Sequence, residues 1–108
     1  MKMIIAVIRP EKVQNVKDAL KEAGIRGLTI TPVRGRGSQG GLCFTTRTEK
    51  VCIDEIEKVK LEIVVDDDKK QTAVDTVREY AATGTIGDGR IFVVNIEESY
   101  KVNDEPNL

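Results

Sequence analysis

An internal repeat of strand, helix and strand is the feature that most limits the folds open to this chain. A β-rich apolar run at residues 3–8 is followed by apolar residues at helical spacing up to Gly24, and then by an alternating strand at 28–33. The same order returns between a strand at 58–65 and a strand at 91–96. A shift of 58 positions aligns the first strands and the helices, whereas the last strands align at a shift of 63. The second copy therefore carries about five extra residues before its last strand.

Two β-α-β units predict an α+β fold, a ferredoxin-like double β-α-β sandwich with two helices on one face of a four-stranded antiparallel sheet. The alignment assigns Ile5, Val7, Ile63 and Val65 to one face of that sheet and Ala6, Glu62 and Val64 to the other, so both faces carry apolar residues. The face without helices must be covered, and self-association is the simplest cover. We therefore expect an oligomer.

Local signals mark the element ends. Pro10 favours a helix start and Gly24 a helix end, while Pro32 indicates an edge strand because proline cannot donate to a sheet. Asp66-Asp67-Asp68 precedes the second helix and has the composition either of helix N-caps or of a metal cluster. We favour N-caps.

Composition excludes several classes of protein. The 17 basic and 18 acidic residues give a formal charge of −1, without the basic cluster that nucleic acid binding requires. The run at 3–8 is too short to insert in a membrane, so we expect a cytoplasmic protein. The chain has no histidine and no nucleophile beside a plausible base, which argues against an enzyme.

The two cysteines, Cys43 and Cys52, lie nine positions apart in a segment that the pattern predicts to be a loop. Without a CxxC motif or a histidine they do not form a zinc site. A disulfide is geometrically possible but requires an oxidising compartment, which nothing in the sequence indicates. We expect two free thiols.

Two glycine-rich segments and one charged strand residue are candidates for binding. Gly87-Asp88-Gly89-Arg90 precedes a strand and is either a plain turn or a phosphate-binding nest completed by the arginine. The segment 35–41 is either a flexible hinge or a ligand loop in which Arg36 meets a carboxylate and Gln39 offers an oxygen to a metal. Glu62, inside an apolar strand, is either exposed or bonded to a polar ligand such as an adenine amino group.

The sequence resembles the P-II family of nitrogen-regulatory signalling proteins over nearly its whole length. The matching segments are Met1-Lys2-Met3-Ile4, Ile8-Arg9-Pro10, Leu28-Thr29-Ile30-Thr31, Gly35-Arg36-Gly37-Ser38-Gln39, Lys58-Val59-Lys60-Leu61-Glu62 and the most specific, Thr83-Gly84-Thr85-Ile86-Gly87-Asp88-Gly89-Arg90. The resemblance implies a single domain over 1–108, with a target-binding loop at 36–57 and a polar C-terminal tail at 98–108. It also implies a trimer, formed either by three copies of this chain or together with a paralogue. It also implies binding of ATP or ADP, Mg²⁺ and 2-oxoglutarate as effectors.

The resemblance also assigns roles to individual residues. The adenosine part of the cleft would be lined by Val7, Thr29, Gly35, Glu62 and Val64. The phosphates would be approached by Gly37, Gly87, Gly89, Arg90 and Lys101. Gln39 would give an oxygen to Mg²⁺ and take part in binding 2-oxoglutarate, and Lys58 would pair with a carboxylate of 2-oxoglutarate.

The chain departs from the family pattern at several positions. Ser38, Lys101 and Asn103 stand where basic residues, arginine in the last two cases, are frequent, which predicts fewer phosphate contacts. Val51 stands where some bacterial members carry a modified tyrosine, which predicts non-covalent signalling. The loop is most similar to the branch encoded with nitrogenase in archaea and some anaerobic bacteria, so nitrogenase or another protein of nitrogen metabolism is the implied target.

Two other functions remain open at this stage. An acylphosphatase-like enzyme shares the fold, but its loop pattern fits Gln39-Gly40-Gly41-Leu42-Cys43-Phe44 out of register and places Thr45 where an arginine is required. A ferredoxin-like amino-acid-sensing regulatory domain would not need nucleotide, and ATP binding would eliminate it.

Overall fold

The computed structural model describes residues 1–36, 42–53 and 55–103, and this part of the chain forms six strands and two α-helices. The strands are β1 (Lys2–Ile8), β2 (Thr29–Gly35), β3 (Leu42–Thr45), β4 (Lys50–Ile53), β5 (Ile56–Val65) and β6 (Gly89–Asn95), and the helices are α1 (Val13–Glu22) and α2 (Lys70–Ala81). Strands β2, β5, β1 and β6 form, in that order, a four-stranded sheet with antiparallel pairing throughout. This confirms the α+β, ferredoxin-like fold. No helix of the described residues is long and apolar enough to cross a membrane.

The two β-α-β units are related by 57 positions, so the expected shift of 58 was wrong by one. The short 3-10 turns and the helices that follow them begin 57 positions apart: Pro10 and Asp67, then Val13 and Lys70. At the same spacing Ile5 corresponds to Glu62, and these residues pair with Phe92 and Thr29 respectively. Thr29 and Phe92 are 63 positions apart, as expected for the last strands. The second unit therefore carries six extra residues, all before β6.

One face of the sheet forms the core with both helices. Its buried residues come from each of the central elements: Ile4, Ala6 and Ile8 of β1, Leu61, Ile63 and Val65 of β5, Val16 and Leu20 of α1, and Ala73, Val77 and Ala81 of α2. Ile5 and Val7 lie on the opposite, open face, since side chains alternate along a strand.

The expected division of the two faces was therefore wrong. Register pairs Ile5 with Glu62, so Ile5 and Val7 share the open face with Glu62 and Val64, whereas Ala6 is in the core. The cause is the one-residue error in the repeat, because a shift of one position moves every side chain of a strand to the other face.

The ends of the elements agree only in part with the sequence signals. Pro10 opens the first 3-10 turn, Gly24 ends α1 with a φ of 84°, and Pro32 lies on the edge strand β2, all as expected. The expected N-caps at Asp66-Asp67-Asp68 were wrong, because no side-chain cap is formed at the second 3-10 turn or at α2. The backbone carbonyl of Asp66 instead accepts the N–H of Lys69 at 2.9 Å.

Asp67 contacts a different part of the chain. Its Oδ1 lies 2.6 Å from the amino group of Met1, and the hydrogen bond and charge of that group lower the pKa of the Asp67 carboxyl. This ion pair joins the start of β1 to the start of the second helical segment.

Strands β3 and β4 form a separate antiparallel hairpin within the segment predicted to be a loop. Its turn is closed by a 2.7 Å hydrogen bond from the N–H of Thr46 to the carbonyl of Glu49. Cys43 is directly opposite Cys52 and the two form a disulfide. The expectation of two free thiols was wrong because antiparallel pairing places these residues face to face, a relationship that spacing in a loop does not predict.

Candidate functional site

The open face of the sheet brings together residues that the family resemblance assigned to nucleotide binding. Val7 lies between Arg90 of β6 and Lys60 of β5 in the strand pairing. One step along the same face, Glu62 of β5 is opposite Thr29 of β2. Strand pairing therefore places two cations, Arg90 and Lys60, in one row across the face. The neighbouring row contains the carboxylate of Glu62 and the hydroxyl of Thr29.

The charged residues on this face have neighbours of their own. Lys60 Nζ lies 3.9 Å from Glu62 Oε1, and both side chains are about one-third exposed. Glu62 is therefore paired as well as partly exposed. The guanidinium of Arg90 lies over the ring of Phe92 at 5.9 Å, a distance at which a cation and an aromatic face attract. Both contacts hold a polar side chain close to the sheet surface.

The segment 83–88 is organised around the carboxylate of Asp88. One oxygen accepts the hydroxyl of Thr83 and the Nε–H of Arg9 at 3.0 Å, and the other accepts the N–H groups of Thr83 at 2.8 Å and Gly84 at 2.9 Å. The hydroxyl of Thr83 is the largest cause of a pKa of Asp88 far below its usual range, and the other three donors act in the same direction. A carboxylate with four donors stays ionised and closes the turn.

Arg9 is the main side chain that fastens this segment to the sheet, and the sequence interpretation missed it. Beyond Asp88 it donates from Nη2 to the hydroxyl of Thr85 at 3.1 Å and to the carbonyl of Ile86 at 2.9 Å. In the sequence, Arg9 was noted only within the family segment Ile8-Arg9-Pro10, before the helix start at Pro10. A signal was present, since the register of a ferredoxin-like sheet places the residue after β1 beside the residue before β6.

Glycines give the segment its shape. Gly84, Gly87 and Gly89 have positive φ of 85°, 95° and 115°, a region that disfavours other residues. A Cβ at Gly89 would also lie 1.9 Å from the carbonyl oxygen of Val7. Within the described part of the chain, the N–H groups of Ile86, Gly87 and Asp88 donate no hydrogen bond. Such unused N–H groups in a glycine turn form an anion-binding concavity.

Lys58 connects this segment to β5. Its ammonium group donates to the carbonyl of Gly87. A Cβ at Gly87 would lie 3.9 Å from Lys58 Nζ and 3.4 Å from Arg9 Nη2, so both cations are beside the turn. We refer to Arg9, Lys58, Arg90 and the segment 83–88 as the anion turn.

For the remaining candidate residues that it describes, the structure gives a position or an exposure but no side-chain contact. Val64 is 48% exposed on the open face, and Gly35 ends β2 opposite Ile56. Lys101 is exposed in the segment after β6, which has neither helix nor strand. Gly37 and Gln39, with Ser38, lie outside the described residues, so the proposed metal ligand has no described position.

The composition of the anion turn suits an anion. Its three cationic side chains and three unused N–H groups are all donors, and oxygen-rich groups such as phosphates and carboxylates can accept from both. The described residues include no cluster of three or more acidic or sulfur side chains able to hold a metal ion.

Fold and site together define a ferredoxin-like α+β protein with a glycine-rich turn, flanked by cations, at the edge of an open sheet face. The profile of the family described as Nitrogen regulatory protein P-II matches residues 1–105. The chain belongs to this P-II family, as the sequence resemblance implied.

Individual relatives agree with the family assignment. The chain is 47% identical to Nitrogen regulatory protein P-II 2 of Methanothermobacter thermautotrophicus over 102 residues, covering 94% of this chain and 89% of that protein. It is 46% identical to Nitrogen regulatory protein P-II of Bradyrhizobium diazoefficiens and 45% identical to Nitrogen regulatory protein P-II 1 of Escherichia coli K12, in each case over 94% of this chain and 91% of the relative. The archaeal relative fits the archaeal branch named from the loop.

Proposed function

We propose that the chain is a cytoplasmic regulator of nitrogen metabolism that binds ATP or ADP, Mg²⁺ and 2-oxoglutarate and controls a target protein without catalysing a reaction. It acts as one domain over 1–108, with the target contacted by the loop at 36–57 and a polar tail at 98–108. Support comes from membership of the P-II family and from the names of its relatives, which describe nitrogen regulation.

The anion turn is the observation that carries the nucleotide part of this proposal. Asp88 and Arg9 fix the turn before any ligand arrives, and the unused N–H groups of Ile86, Gly87 and Asp88 point to an anionic ligand. A preformed site of this kind costs little conformational entropy on binding. Polyphosphate is the ligand class that matches both the N–H groups and the nearby cations.

The adenosine would lie along the neighbouring part of the open face. Val7 and Val64 offer apolar contact, Thr29 a hydroxyl, and Glu62 a carboxylate that accepts from an adenine amino group. Gly35 allows close approach at the end of β2, since nothing lies within 4 Å of a Cβ placed there. Gly37, Gly89, Arg90 and Lys101 complete the proposed phosphate contacts with Gly87.

Mg²⁺ and 2-oxoglutarate would bind next to the phosphates. Mg²⁺ prefers oxygen ligands, usually keeps several waters, and is often held by phosphates of its substrate together with one or two protein oxygens. Gln39 would supply an amide oxygen to the metal and take part in the 2-oxoglutarate site, and Lys58 would neutralise a carboxylate of 2-oxoglutarate. Lys58 is already at the turn, where its ammonium group contacts Gly87.

A homotrimer is the assembly we propose, because the open face cannot remain in water. Val64, Phe92 and Val94 are between 41% and 48% exposed on it. Apolar area of this kind is stabilised by association. A cleft between subunits would then enclose a nucleotide that the single sheet face leaves open.

The target would be nitrogenase or another protein of nitrogen metabolism. Support comes from the resemblance of the loop at 36–57 to the branch encoded with nitrogenase, and from Val51, which leaves the loop without a tyrosine for modification. Control of the target would then be non-covalent.

Calorimetry with ATP, Mg²⁺ and 2-oxoglutarate, added singly and together, tests the proposal. We expect ATP to bind the wild-type chain, and Arg90→Ala to weaken it by about tenfold, the loss expected for one charge-assisted contact. Lys21→Met is the matched control, since Lys21 is exposed on α1 on the other side of the sheet. Failure of ATP to bind would reject this function and leave the amino-acid-sensing alternative.

A further inference from the structure

Both cysteines of the chain lie in the hairpin formed by β3 and β4. Cys43 and Cys52 are the only cysteines, they are directly opposite in the register, and they are disulfide-bonded. Both residues are exposed to solvent. An external thiol can therefore reach either sulfur, and neither cysteine has a competing partner within the chain.

The hairpin has few other means of holding its conformation. It is a two-stranded sheet of four residues in each strand, separate from the four-stranded sheet, and such hairpins are marginally stable alone. Phe44, opposite Val51, is still 48% exposed, so this apolar pair contributes only part of its area to the hairpin. The turn adds hydrogen bonds between Thr46 and Glu49. The disulfide is accordingly the strongest constraint on residues 42–53.

We propose that Cys43 and Cys52 form a thiol–disulfide exchange site whose redox state sets the conformation of the hairpin at 42–53, within the proposed target loop. The inference rests on the proposed function in one respect, namely that the loop at 36–57 contacts the target. The co-reactant is a dithiol, either a small molecule or an oxidoreductase with a dithiol site. Exposed disulfides are the kind that exchange readily and act in regulation.

The exchange is balanced in two steps. A thiolate of the dithiol attacks one protein sulfur, forming a mixed disulfide and releasing the other cysteine as a thiolate that takes up a proton. The second thiol of the dithiol then attacks the mixed disulfide, so the protein gains two thiols and the co-reactant becomes a disulfide. Two electrons and two protons pass to the protein, and an oxidised carrier reverses the reaction.

The conformational effect should be confined to the hairpin. The oxidised hairpin presents the exposed charges of Arg47, Glu49 and Lys50 in one arrangement around its turn. Reduction removes the cross-link and lets these charges move independently. Lys58 and Arg90 lie on the other sheet, so the affinity for ATP should change by less than about twofold on reduction.

Amide hydrogen exchange of the full-length protein, with and without a small dithiol such as dithiothreitol, tests the inference. We expect the air-oxidised protein to contain no titratable thiol and the reduced protein to contain two per chain. Exchange in residues 42–53 should become at least about tenfold faster on reduction, while β1 and β5 remain unchanged.

Variants separate the disulfide from other effects of the reductant. Cys43→Ser should exchange rapidly in residues 42–53 with or without the dithiol, and Cys52→Ser should behave in the same way. Thr48→Ser, in the turn of the hairpin, is the matched control and should keep the full response.

Three outcomes would overturn the inference: two free thiols after air oxidation, a disulfide between chains on a non-reducing gel, or equal exchange in both redox states. A parallel ATP titration separates this inference from the proposed function. Loss of ATP binding in both states would reject the nucleotide role but leave the exchange result intact.

Discussion

Arg9 and Asp88 form a 3.0 Å ion pair that joins the residue after β1 to the residue before β6. The last strand pair is Ile8 with Gly89, so the ion pair continues the register by one position. Both side chains are 25% exposed, which leaves the contact partly screened by solvent. Its importance lies in geometry, because the same two side chains hold the hydrogen bonds that shape the anion turn.

Replacing Asp88 with asparagine should weaken nucleotide binding. The amide keeps one acceptor oxygen but turns an NH₂ group toward two of the donors, which then have no acceptor there. We expect the affinity for ATP, measured by calorimetry, to fall by at least about tenfold, as for loss of charge-assisted hydrogen bonds in a positioned site.

Asp75→Asn is the control for that substitution. Asp75 is on α2 and accepts a single described hydrogen bond, from Gln71 at 2.9 Å, so the same chemical change there should leave ATP affinity unaltered. Equal affinities for wild type and Asp88→Asn would contradict the role given to the carboxylate.

The turn should also resist acid. The hydroxyl of Thr83, followed by the other donors, lowers the pKa of Asp88 below the ordinary value of 3.8. A carboxylate whose pKa is lowered in the folded state stabilises it fully above the unfolded pKa, and that contribution disappears as pH falls through the folded pKa. The N–H resonances of Thr83 and Gly84 should therefore keep their native positions at pH 4 and move only well below pH 3.8. A midpoint at or above 3.8 would show that Asp88 is not the acceptor.

The sequence predicted the fold from its repeat but could not fix the register. Patterns of apolar residues aligned β1 and β5 about equally well at neighbouring shifts, because both strands carry apolar residues on both faces. Burial decides between them, since Ala6 is in the core and Val7 is not. The positions of the strands along the chain were therefore predictable. Which side chains of each strand face the core depends on how the helices pack on the sheet, and this was not predictable from the pattern.

Within the site, the candidate residues were easier to predict than the partners that their side chains contact. The turn at 87–90 was recognised as a candidate nest, but the donors that hold Asp88 come from Arg9, Thr83 and Gly84. The contact with Arg9 follows only once the pairing of β1 with β6 is known. The disulfide was missed for a similar reason. A hairpin had to be known before Cys43 and Cys52 could be placed opposite each other.

Gly89→Ala should destabilise the protein strongly. A Cβ there would lie 1.9 Å from the backbone oxygen of Val7, and φ is 115°, so the strand must move to admit it. We expect urea unfolding to show a loss of about 3 kcal/mol or more. Gly27→Ala is the control, because nothing lies within 4 Å of its Cβ, and it should change stability by no more than about 0.5 kcal/mol. A mild effect at Gly89 would mean that β1 and β6 are not so closely paired.

The proposed trimer is held together through the apolar open face of the sheet. Wild-type protein should sediment as a trimer at micromolar concentration, whereas Phe92→Glu should shift it toward monomer by placing a charge on the apolar face. Tyr80→Glu is the matched control, since Tyr80 is 43% exposed on α2 and Phe92 is 48% exposed on the sheet. A monodisperse wild-type monomer in analytical ultracentrifugation would refute the assembly.

Coupling between the two effectors is the last prediction. 2-Oxoglutarate can chelate, through a carboxylate and its keto oxygen, a Mg²⁺ ion that ATP phosphates already hold, with Gln39 as a further ligand. It should then bind only with Mg²⁺ and ATP, and ADP should not replace ATP because it lacks the γ-phosphate. Lys58→Met should abolish 2-oxoglutarate binding and largely preserve ATP binding, whereas Arg90→Ala should weaken both.

Linkage makes this coupling testable from either side. If ATP tightens 2-oxoglutarate by some factor, 2-oxoglutarate must tighten ATP by the same factor, and calorimetric titrations in both orders measure it. Lys58 adds a structural reason for the coupling, because its ammonium group is already bonded to the carbonyl of Gly87 in the anion turn. A dicarboxylate that takes over this ammonium group changes the contacts of the turn.

Lys21→Met should leave both titrations unchanged, since that exposed lysine is on α1. Equal binding of 2-oxoglutarate with ADP, or without nucleotide, would show that the metal does not bridge the two ligands.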